Sequence, residues 1–324
     1  MMAHRMLLRR TLLNDVYCGV RQVSSVGFIG LGNMGSGMAA NLLRKGKQVV
    51  AYDVASAALT ALENQGARAA ASPREVAQQC GKIVTMLPTN AHVEEVLTGP
   101  QGLIASAKKG TLLIDCSTVG PDLSVRMSKE AENNQLKFVD APVSGGVNAA
   151  KAGTLTFMVG GSEADVTSAE EVLLDMGKAA IRCGPVGCGG AAKICNNMML
   201  AISMVGHSET MNLGIQLGLD PQVLNQILNM SSGKSWVSDV YSPVPGVMPN
   251  VPSSNNYQGG FGSALMLKDL SLAQDAATQT QAPTPLGGLA LQLYRIICAQ
   301  GHGRKDFGYV FKFLSKTGDV QMSR

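Results

Sequence analysis

The chain has 324 residues, of which 45% are hydrophobic and 15% charged, and its formal net charge is +4 at pH 7. This length is sufficient for two domains with separate cores, and this composition is typical of a compact globular protein. Residues 1–24 hold a net charge of +3 and the remainder only +1, so the sequence does not predict a nucleic-acid-binding surface. Its apolar runs fall short of the ~20 residues that cross a bilayer. We therefore expect neither a nucleic acid nor a membrane as a partner.

The first 24 residues have the composition of a mitochondrial transit peptide. Four arginines are spaced among pairs of leucines, and Asp15 is the only acidic residue. The segment lacks the continuous apolar core of a secretory signal. A ragged N-terminus is the alternative, but the arginine excess stops where the first predicted strand begins. Residues 1–24 therefore predict import into mitochondria, and we expect the protein in the matrix.

A strand–turn–helix–strand unit follows the leader. An apolar run at 26–29 leads into Gly30-Leu31-Gly32-Asn33-Met34-Gly35, and a second apolar run at 49–52 ends at Asp53. The first glycine of such a turn permits the tight bend, the second leaves room for a pyrophosphate, and the third lets the helix pack on the strand. The helix N-terminus offers free N–H groups to the phosphates. Glycine-rich turns are common, but these flanking strands make the pattern predict a dinucleotide site.

Asp53 favours NAD over NADP. A carboxylate at the end of the second strand can accept hydrogen bonds from the ribose hydroxyls of NAD and would repel the 2′-phosphate of NADP. No arginine follows it, since the next residues are Val54, Ala55 and Ser56. The alternative is a loop carboxylate that caps the next helix, which Ser56 could equally do.

Strand-like and helical segments alternate as far as residue 182. The further predicted strands lie at 83–87, 112–115, 137–140, 154–159 and 179–182, and helices are predicted at 73–79, 91–97, 121–133 and 163–176. This alternation predicts an α/β domain with a doubly wound, mainly parallel sheet of the Rossmann type, covered on both faces.

The pattern changes after Gly189-Gly190. Residues 191–217 predict one long, largely buried helix, and the later segments 221–230, 264–279, 286–299 and 305–314 also predict helices. The exception is the segment 242–262, which is rich in Pro, Gly, Ser and Asn and is long enough to predict a loop over an active site. We expect an NAD-binding domain at 25–187 and, joined by the long helix, an all-helical substrate and dimerisation domain at 188–324.

The seven cysteines do not predict a metal site. Their number is odd and their spacing is scattered, which is typical of a reducing compartment. Cys183, Cys188 and Cys195 lack the spacing of a zinc knuckle and have no histidine nearby. We interpret them as core or surface thiols.

Three segments are candidates for the chemistry. Ser144-Gly145-Gly146 follows a predicted strand and can present successive backbone N–H groups to a carboxylate, although an ordinary turn has the same sequence. Lys193 and Asn197 lie one turn apart on an apolar helix, where burial would lower the lysine pKa towards that of a proton carrier. The alternative for this lysine is a chain that extends to solvent at the helix start. The pair Lys268-Asp269 is by itself typical of a solvated helix face.

Four segments in this order resemble the β-hydroxyacid dehydrogenase family, and within it the mitochondrial members that act in valine breakdown. They are Gly-Phe-Ile-Gly-Leu-Gly-Asn-Met-Gly at 27–35, Asp-Ala-Pro-Val-Ser-Gly-Gly at 140–146, Gly-x-x-x-Lys-Ile-Cys-Asn-Asn at 189–197 and Leu-Lys-Asp-Leu at 267–270. The resemblance covers residues 26–314.

This resemblance implies roles for individual residues. Lys193 would be the catalytic acid/base and Asn197 its substrate-binding neighbour, and the substrate carboxylate would lie against Ser144, Gly145 and Gly146. The cofactor would contact residues at the strand ends and one lysine of the second domain, namely Gly30, Gly32, Asn33, Met34, Gly35, Asp53, Leu87, Pro88, Thr118 and Lys268. At a position where relatives often carry Asn, this chain has His92, whose contact with the cofactor stays open. Trp236 and Phe261 are candidates for the substrate pocket.

The implied activity is NAD-dependent oxidation of 3-hydroxy-2-methylpropanoate to its semialdehyde, with a homo-oligomer, a dimer or a tetramer, as the expected assembly. One alternative is a related NADPH-dependent reductase of glyoxylate or succinic semialdehyde, against which Asp53 argues. Another is a non-enzymatic dinucleotide-binding relative that has lost the catalytic lysine. Lys193 is present here, and the sequence shows no basic DNA-binding extension.

Overall fold

The computed structural model describes residues 25–315. The transit peptide predicted at 1–24 and the last nine residues of the predicted helical domain lie outside the described residues. None of the described helices is both long enough and apolar enough to cross a bilayer.

A nine-stranded sheet organises the first part of the chain. Its strands are β1 Val26–Ile29, β2 Val49–Tyr52, β3 Arg68–Ala69, β4 Lys82–Thr85, β5 Leu112–Asp115, β6 Lys137–Asp140, β7 Val143–Ser144, β8 Leu155–Gly160 and β9 Gly177–Gly184. The order β3-β2-β1-β4-β5-β6 is parallel throughout, which confirms the doubly wound Rossmann-type sheet. β8 joins β6 and β7 in antiparallel pairing and β9 is parallel to β8, so the sheet is mixed at one side.

Helices cover both faces of this sheet, as predicted. They are α1 Gly35–Arg44, α2 Ser56–Glu63, α3 Pro73–Gln79, α4 Asn90–Thr98, α5 Pro121–Asn133, α6 Gly146–Ala152 and α7 Glu163–Leu173. Successive strand side chains point to opposite faces, so Phe28 packs in the core beneath α1 and α7 while Ile29 packs in the core beneath α3, α4 and α5. The helices α2 and α6 and the short strands β3 and β7 had no sequence prediction.

The fourth strand ends two residues earlier than the predicted segment 83–87. β4 ends at Thr85, because the N–H of Leu87 donates to the side-chain Oγ of Ser117 at 2.9 Å instead of to a neighbouring strand. The prediction of a strand to residue 87 is therefore wrong. The result places Leu87 and Pro88 in a loop at the carboxyl edge of the sheet, where ligands bind in this fold class.

The rest of the described residues are mainly helical, apart from the loop at 242–262, and they contain no strand after β9. The helices are α8 Cys188–Gln216, α9 Pro221–Met230, α10 Trp236–Val240, α11 Ser263–Thr280, α12 Pro285–Ile297 and α13 Val310–Leu314. α8 confirms the predicted long helix and spans about 43 Å at 1.5 Å per residue. A separate core forms where α8, α11 and α12 meet, with Met204, Leu270 and Tyr294 buried in it.

The predicted helix at 305–314 is wrong in its first half. The side chain of Asp306 accepts a hydrogen bond from the N–H of Gly308 and caps a 3-10 turn, Phe307–Tyr309, which precedes the short helix α13. As is typical of an N-cap residue, Asp306 has non-helical backbone, with a ψ of 148°, so the helical turns begin only after it.

The long loop predicted at 242–262 is present, with one 3-10 turn, Pro252–Asn255. Both of its ends attach to the buried carboxylate of Asp306, which accepts from the hydroxyl of Tyr241 and from the N–H of Phe261, each at 2.9 Å. The backbone N–H of Asp306 donates to the carbonyl of Tyr257. The loop is therefore fixed to the helical core.

Candidate active site

The glycine turn between β1 and α1 has the geometry expected of a dinucleotide site. Gly30 has a φ of +96°, which favours glycine, and a Cβ on Gly35 would overlap the carbonyl oxygen of Gly30. A Cβ at Gly32 would meet no described atom within 4 Å, so this side of the turn is open to a ligand. No side chain caps the N-terminus of α1, whose free N–H groups suit an anion. Asn33 is exposed and Met34 half-buried beside them. The residues present therefore fit the pyrophosphate of a dinucleotide.

Asp53 lies against this turn. One of its carboxylate oxygens accepts a hydrogen bond from the N–H of Leu31, and the other accepts from the N–H of Ala55 at 2.7 Å. These two bonds fix the carboxylate at the end of β2, beside the glycine turn. Val54 is 90% exposed, and Asp53 is followed by no cation that would pair with a 2′-phosphate.

The loops after β4 and β5 meet next to the glycine turn. A Cβ on Gly30 would lie 3.2 Å from the side chain of Leu87, and the bond from Leu87 N–H to Ser117 joins the two loops. From the helical region, the ammonium of Lys268 donates to the carbonyl of Thr118 at 2.6 Å. The structure thus brings together cofactor residues that were predicted from widely separated parts of the sequence.

The buried carboxylate of Asp115 stabilises the loop after β5. Its Oδ1 accepts from the hydroxyl of Thr85 at 2.8 Å and from the N–H of Ser117 at 3.1 Å, while its Oδ2 is buried without a hydrogen-bond partner among the described residues. Burial raises the pKa of Asp115, and the bonds from Ser117 and Thr85 lower it. Asp115 and Ser117 had no predicted role, although Asp115 ends a predicted strand and Ser117 directly precedes Thr118.

His92 lies in the first turn of α4 and is exposed. Its Nδ1 is 2.6 Å from the hydroxyl of Thr89, the N-cap of the same helix. This contact is local to the helix, and a cofactor contact of His92 stays an open question.

The predicted substrate segment forms a short turn between two elements. Ser144 ends β7, Gly146 begins α6, and Gly145 and Gly146 have φ values of +134° and +72°. Both glycines are exposed and Ser144 is half-buried. Consecutive N–H groups at such a turn suit a carboxylate, as the sequence predicts.

Lys193 and Asn197 lie in the first half of α8, and both are buried. The side chain of Lys193 is 8% exposed. Burial lowers the pKa of Lys193 and the nearby charge of Lys268 lowers it further, whereas Asp269 raises it. An amine of lowered pKa deprotonates closer to neutral pH, which is what a general base requires.

Asp269 contacts both Asn197 and Lys268, and its charge acts on Lys193. Its Oδ2 accepts a hydrogen bond from Nδ2 of Asn197, and its Oδ1 lies 3.1 Å from the ammonium of Lys268. The carboxylate is 3% exposed, unlike the solvated pair that the sequence alone suggests. Sequence reasoning named the pair Lys268-Asp269 but did not predict the bond from Asn197, which lies 72 residues away.

The aromatic candidates form a cluster beside the loop at 242–262. Trp236 stacks on Tyr241 with ring centroids 4.9 Å apart, and Phe261 lies edge-on to Phe307 at 6.0 Å. A pocket role for Trp236 and Phe261 stays a prediction. No group of three or more metal-ligating His, Cys, Asp or Glu side chains occurs within residues 25–315.

Two family models match the chain. The NAD-binding domain of 6-phosphogluconate dehydrogenase matches residues 25–212, and the NAD-binding domain of NADP-dependent 3-hydroxyisobutyrate dehydrogenase matches residues 187–314. Both describe NAD-binding domains, which confirms the predicted NAD cofactor.

Curated relatives and solved structures point the same way. The chain is 55% identical to the mitochondrial 3-hydroxyisobutyrate dehydrogenase of Homo sapiens, over 91% of this chain and 88% of the relative. It is 45% identical to that of Drosophila melanogaster, over 90% of each protein. The structure of 3-hydroxyisobutyrate dehydrogenase from Mycobacterium tuberculosis with L-serine matches with a TM-score of 0.86 and 39% identity, over 90% of this chain and 99% of that one.

The two animal relatives are named as mitochondrial proteins, which supports the predicted mitochondrial location. The similarity extends over both the sheet and the helical parts, and it includes the segments from which the family resemblance was predicted. The chain therefore belongs to the 3-hydroxyisobutyrate dehydrogenases, NAD-binding oxidoreductases of the β-hydroxyacid dehydrogenase family.

Proposed function

We propose that this protein oxidises 3-hydroxy-2-methylpropanoate (3-hydroxyisobutyrate) to methylmalonate semialdehyde with NAD, as a step of valine breakdown. The observation that carries the proposal is the buried amine of Lys193, with its lowered pKa, on a helix next to Asn197 and Asp269. Relatives that match 90–91% of this chain carry the name of that activity.

In this mechanism Lys193 acts as the general base. Its neutral amine accepts the proton of the C3 hydroxyl, and NAD supplies the acceptor for the hydride that leaves C3. Asn197, held by Asp269, donates a hydrogen bond that orients the hydroxyl beside the amine. The turn at Ser144, Gly145 and Gly146 holds the substrate carboxylate, so the alcohol carbon and not the acid faces the nicotinamide. Fixed orientation of this kind supplies a large part of an enzymatic rate enhancement.

We assign the cofactor contacts to the three loops at the carboxyl edge of the sheet and to one lysine of α11. The glycine turn and α1 hold the pyrophosphate, Asp53 the ribose, and the other loops the nicotinamide side. The residues are Gly30, Gly32, Asn33, Met34, Gly35, Asp53, Leu87, Pro88, Thr118 and Lys268. Because Asp53 is fixed by two N–H donors, its charge faces any 2′-phosphate, which supports NAD over NADP.

We propose that residues 25–187 are the NAD-binding domain and residues 188–324 the substrate and dimerisation domain. The start of α8 at Cys188 supports this boundary. Residues 1–24 would direct the chain to the mitochondrial matrix and be removed there.

The helical region also supports a homo-oligomer. At the end of α8 and on α9 a run of large apolar side chains is between 49% and 79% exposed, namely Leu213, Leu217, Val223, Ile227 and Met230. An apolar patch of this kind is typical of an interface. Sedimentation of the chain and of Ile227→Glu tests this, since only the parent should form a dimer or tetramer.

The proposed activity is tested by a matrix of two cofactors and several substrates. The purified chain is assayed with NAD and with NADP against 3-hydroxy-2-methylpropanoate, L-serine and 3-hydroxypropanoate, and in reverse against glyoxylate and succinic semialdehyde. We expect the highest kcat/KM with NAD and 3-hydroxy-2-methylpropanoate. L-serine, which accompanies the mycobacterial structure, shares the hydroxyl and carboxylate but adds an ammonium and should be slower. Faster NADPH-dependent reduction of an aldehyde acid would overturn the proposal.

A further inference from the structure

Asp140 is a buried carboxylate that has no place in the mechanism above. It ends β6 and is 2% exposed. Its Oδ1 accepts a hydrogen bond from the N–H of Gly187 at 2.8 Å, and its Oδ2 accepts from the N–H of Gly190 at 2.7 Å. Both donors lie at the N-terminus of α8, where unpaired N–H groups and the positive end of the helix dipole favour an anion. Each bond is charge-assisted and therefore stronger than a neutral one.

The packing around this carboxylate leaves no room for the helix to shift towards the sheet. A Cβ on Gly189 would collide with the carbonyl of Met158 and lie 2.7 Å from the carbonyl of Asp140. A Cβ on Gly160 would collide with the Asp140 carboxylate itself. Backbone thus meets backbone where α8 crosses the strands β6 and β8. A small displacement of α8 at this crossing would therefore also require the Asp140 carboxylate to move.

Asp140 lies close in sequence to both halves of the proposed reaction centre. Ser144, at the substrate-carboxylate turn, follows it by four residues. Lys193 follows Gly190 by three residues, which places the two on the same side of α8, one turn apart. The carboxylate is thus the direct bond between the strand that leads into the substrate turn and the helix that carries the base. Burial raises the pKa of Asp140 to about 6, even though the bonds from Gly187 and Gly190 act to lower it.

We propose that Asp140 is a positioning residue for the reaction: it fixes the distance between the amine of Lys193 and the turn at Ser144, Gly145 and Gly146. A substrate held by its carboxylate at that turn then presents its hydroxyl at the amine. The inference rests on the proposed function of Lys193 and of the substrate turn. Misplacement of a reacting group by about 1 Å costs on the order of 100-fold in rate.

A stabilising helix cap without a catalytic consequence is the competing explanation, and Asp220 provides the control for it. Asp220 is the N-cap residue of α9, and its Oδ1 accepts from the N–H groups of Gln222 at 2.9 Å and Val223 at 3.0 Å. α9 carries none of the predicted site residues. Loss of such a cap costs about 1 kcal/mol of stability. Asp220→Asn keeps an oxygen acceptor and should change the Tm little, whereas Asp220→Ala should lower the Tm through loss of the cap; both should leave kcat unchanged.

The test compares Asp140→Asn with Asp220→Asn in the full chain, with Asp140→Ser as a second variant that still offers an oxygen acceptor. For Asp140→Asn we expect kcat to fall between about 10-fold and 100-fold while the NAD dissociation constant stays within twofold. With substrate deuterated at C3, the isotope effect on kcat should rise, because the hydride step becomes rate-limiting. A loss of folded protein alone would lower the apparent kcat but would leave the NAD dissociation constant and the isotope effect unchanged.

Hydrogen exchange gives a readout that does not depend on the substrate. The amides of residues 187–193 should exchange at least tenfold faster in both Asp140 variants than in the parent. A parent enzyme without activity on 3-hydroxy acids would refute the proposed function. Faster exchange at 187–193 in the Asp140 variants would even then show that Asp140 holds the start of α8. A soluble Asp140 variant with parental kcat and isotope effect, or with parental exchange at these amides, overturns the positioning role.

Discussion

The sheet region and the helical region contribute to the candidate active site by different means. At the sheet edge the proposed ligand-binding groups are largely backbone N–H groups, placed by the φ angle of Gly30 and by the close approach at Gly35. In the helical region they are the side chains of Lys193, Asn197 and Lys268, of which the last two contact the buried carboxylate of Asp269. The first arrangement suits a large anionic cofactor, and the second suits proton transfer, because burial changes the pKa of a side chain. Substitutions in the sheet region should therefore mainly change cofactor binding, and substitutions in the helical region should mainly change kcat or its pH dependence.

The largest effect is expected in the glycine turn. Substitution of Gly35 should affect both folding and NAD binding, whereas substitution of Gly32 should affect only NAD binding. Gly35→Ala should lower the unfolding free energy by at least ~1–3 kcal/mol, since the added methyl overlaps the Gly30 carbonyl, and NAD binding should be lost with it. Gly32→Ala should leave the Tm of the NAD-free protein unchanged, because the methyl meets open space, and still weaken NAD binding. Calorimetry and NAD titration of both variants measure this. Equal Tm losses would contradict it.

A smaller effect is expected for cofactor choice. The double variant Asp53→Asn, Val54→Arg removes the carboxylate beside the glycine turn and adds a cation at an exposed position. The ratio of kcat/KM for NADP to that for NAD should rise at least tenfold, or ~1.4 kcal/mol. Val54→Arg alone is the matched control and should achieve less, because Asp53 still repels the 2′-phosphate. An unchanged ratio in the double variant would show that Asp53 does not face the ribose.

In the helical region, the smallest change concerns pH dependence. Oxidation needs neutral Lys193, so kcat/KM should rise with pH through the pKa of this lysine. Asp269 raises that pKa, and Asp269→Asn keeps an oxygen acceptor for Asn197 while removing the charge. The rising limb should therefore move to lower pH. Asp275→Asn, at an exposed position of the same helix, should leave the limb in place. A shift to higher pH in Asp269→Asn would contradict this electrostatic account.

The sequence predicted the sheet region better than the helical region. The site residues of the sheet region lie close together in the sequence, whereas those of the helical region depend on contacts between distant segments. The glycine turn and Asp53 lie within one βαβ unit, and their spacing is set by the strand and helix lengths between them, so local pattern is sufficient. The long helix was predicted from its composition. The contacts of Asp269 and of Asp140 join segments 72 and about 50 residues apart, and only the folded chain reveals them.

Local errors had equally physical causes. The strand that ends at Thr85 and the 3-10 turn after Asp306 both depend on single side-chain hydrogen bonds, from Leu87 to Ser117 and from Gly308 to Asp306. Hydrophobic pattern does not encode such bonds. From its helix alone, Lys193 could have been a side chain that extends to solvent. The four ordered segments favoured a catalytic role instead, and the structure shows that Lys193 is buried.

The most direct test of the division between the two regions is Lys193→Ala, measured for kcat and for the NAD dissociation constant in the same preparation. The account predicts that kcat falls ~10²–10⁴-fold, the usual contribution of general acid–base catalysis, while NAD affinity stays nearly constant. Lys193→Arg should restore little, because a guanidinium keeps its proton, and Lys178→Ala, at an exposed position, should match the parent. A Lys193→Ala protein that oxidises 3-hydroxy-2-methylpropanoate within a few-fold of the parent, or one that loses NAD binding in parallel with kcat, would contradict it.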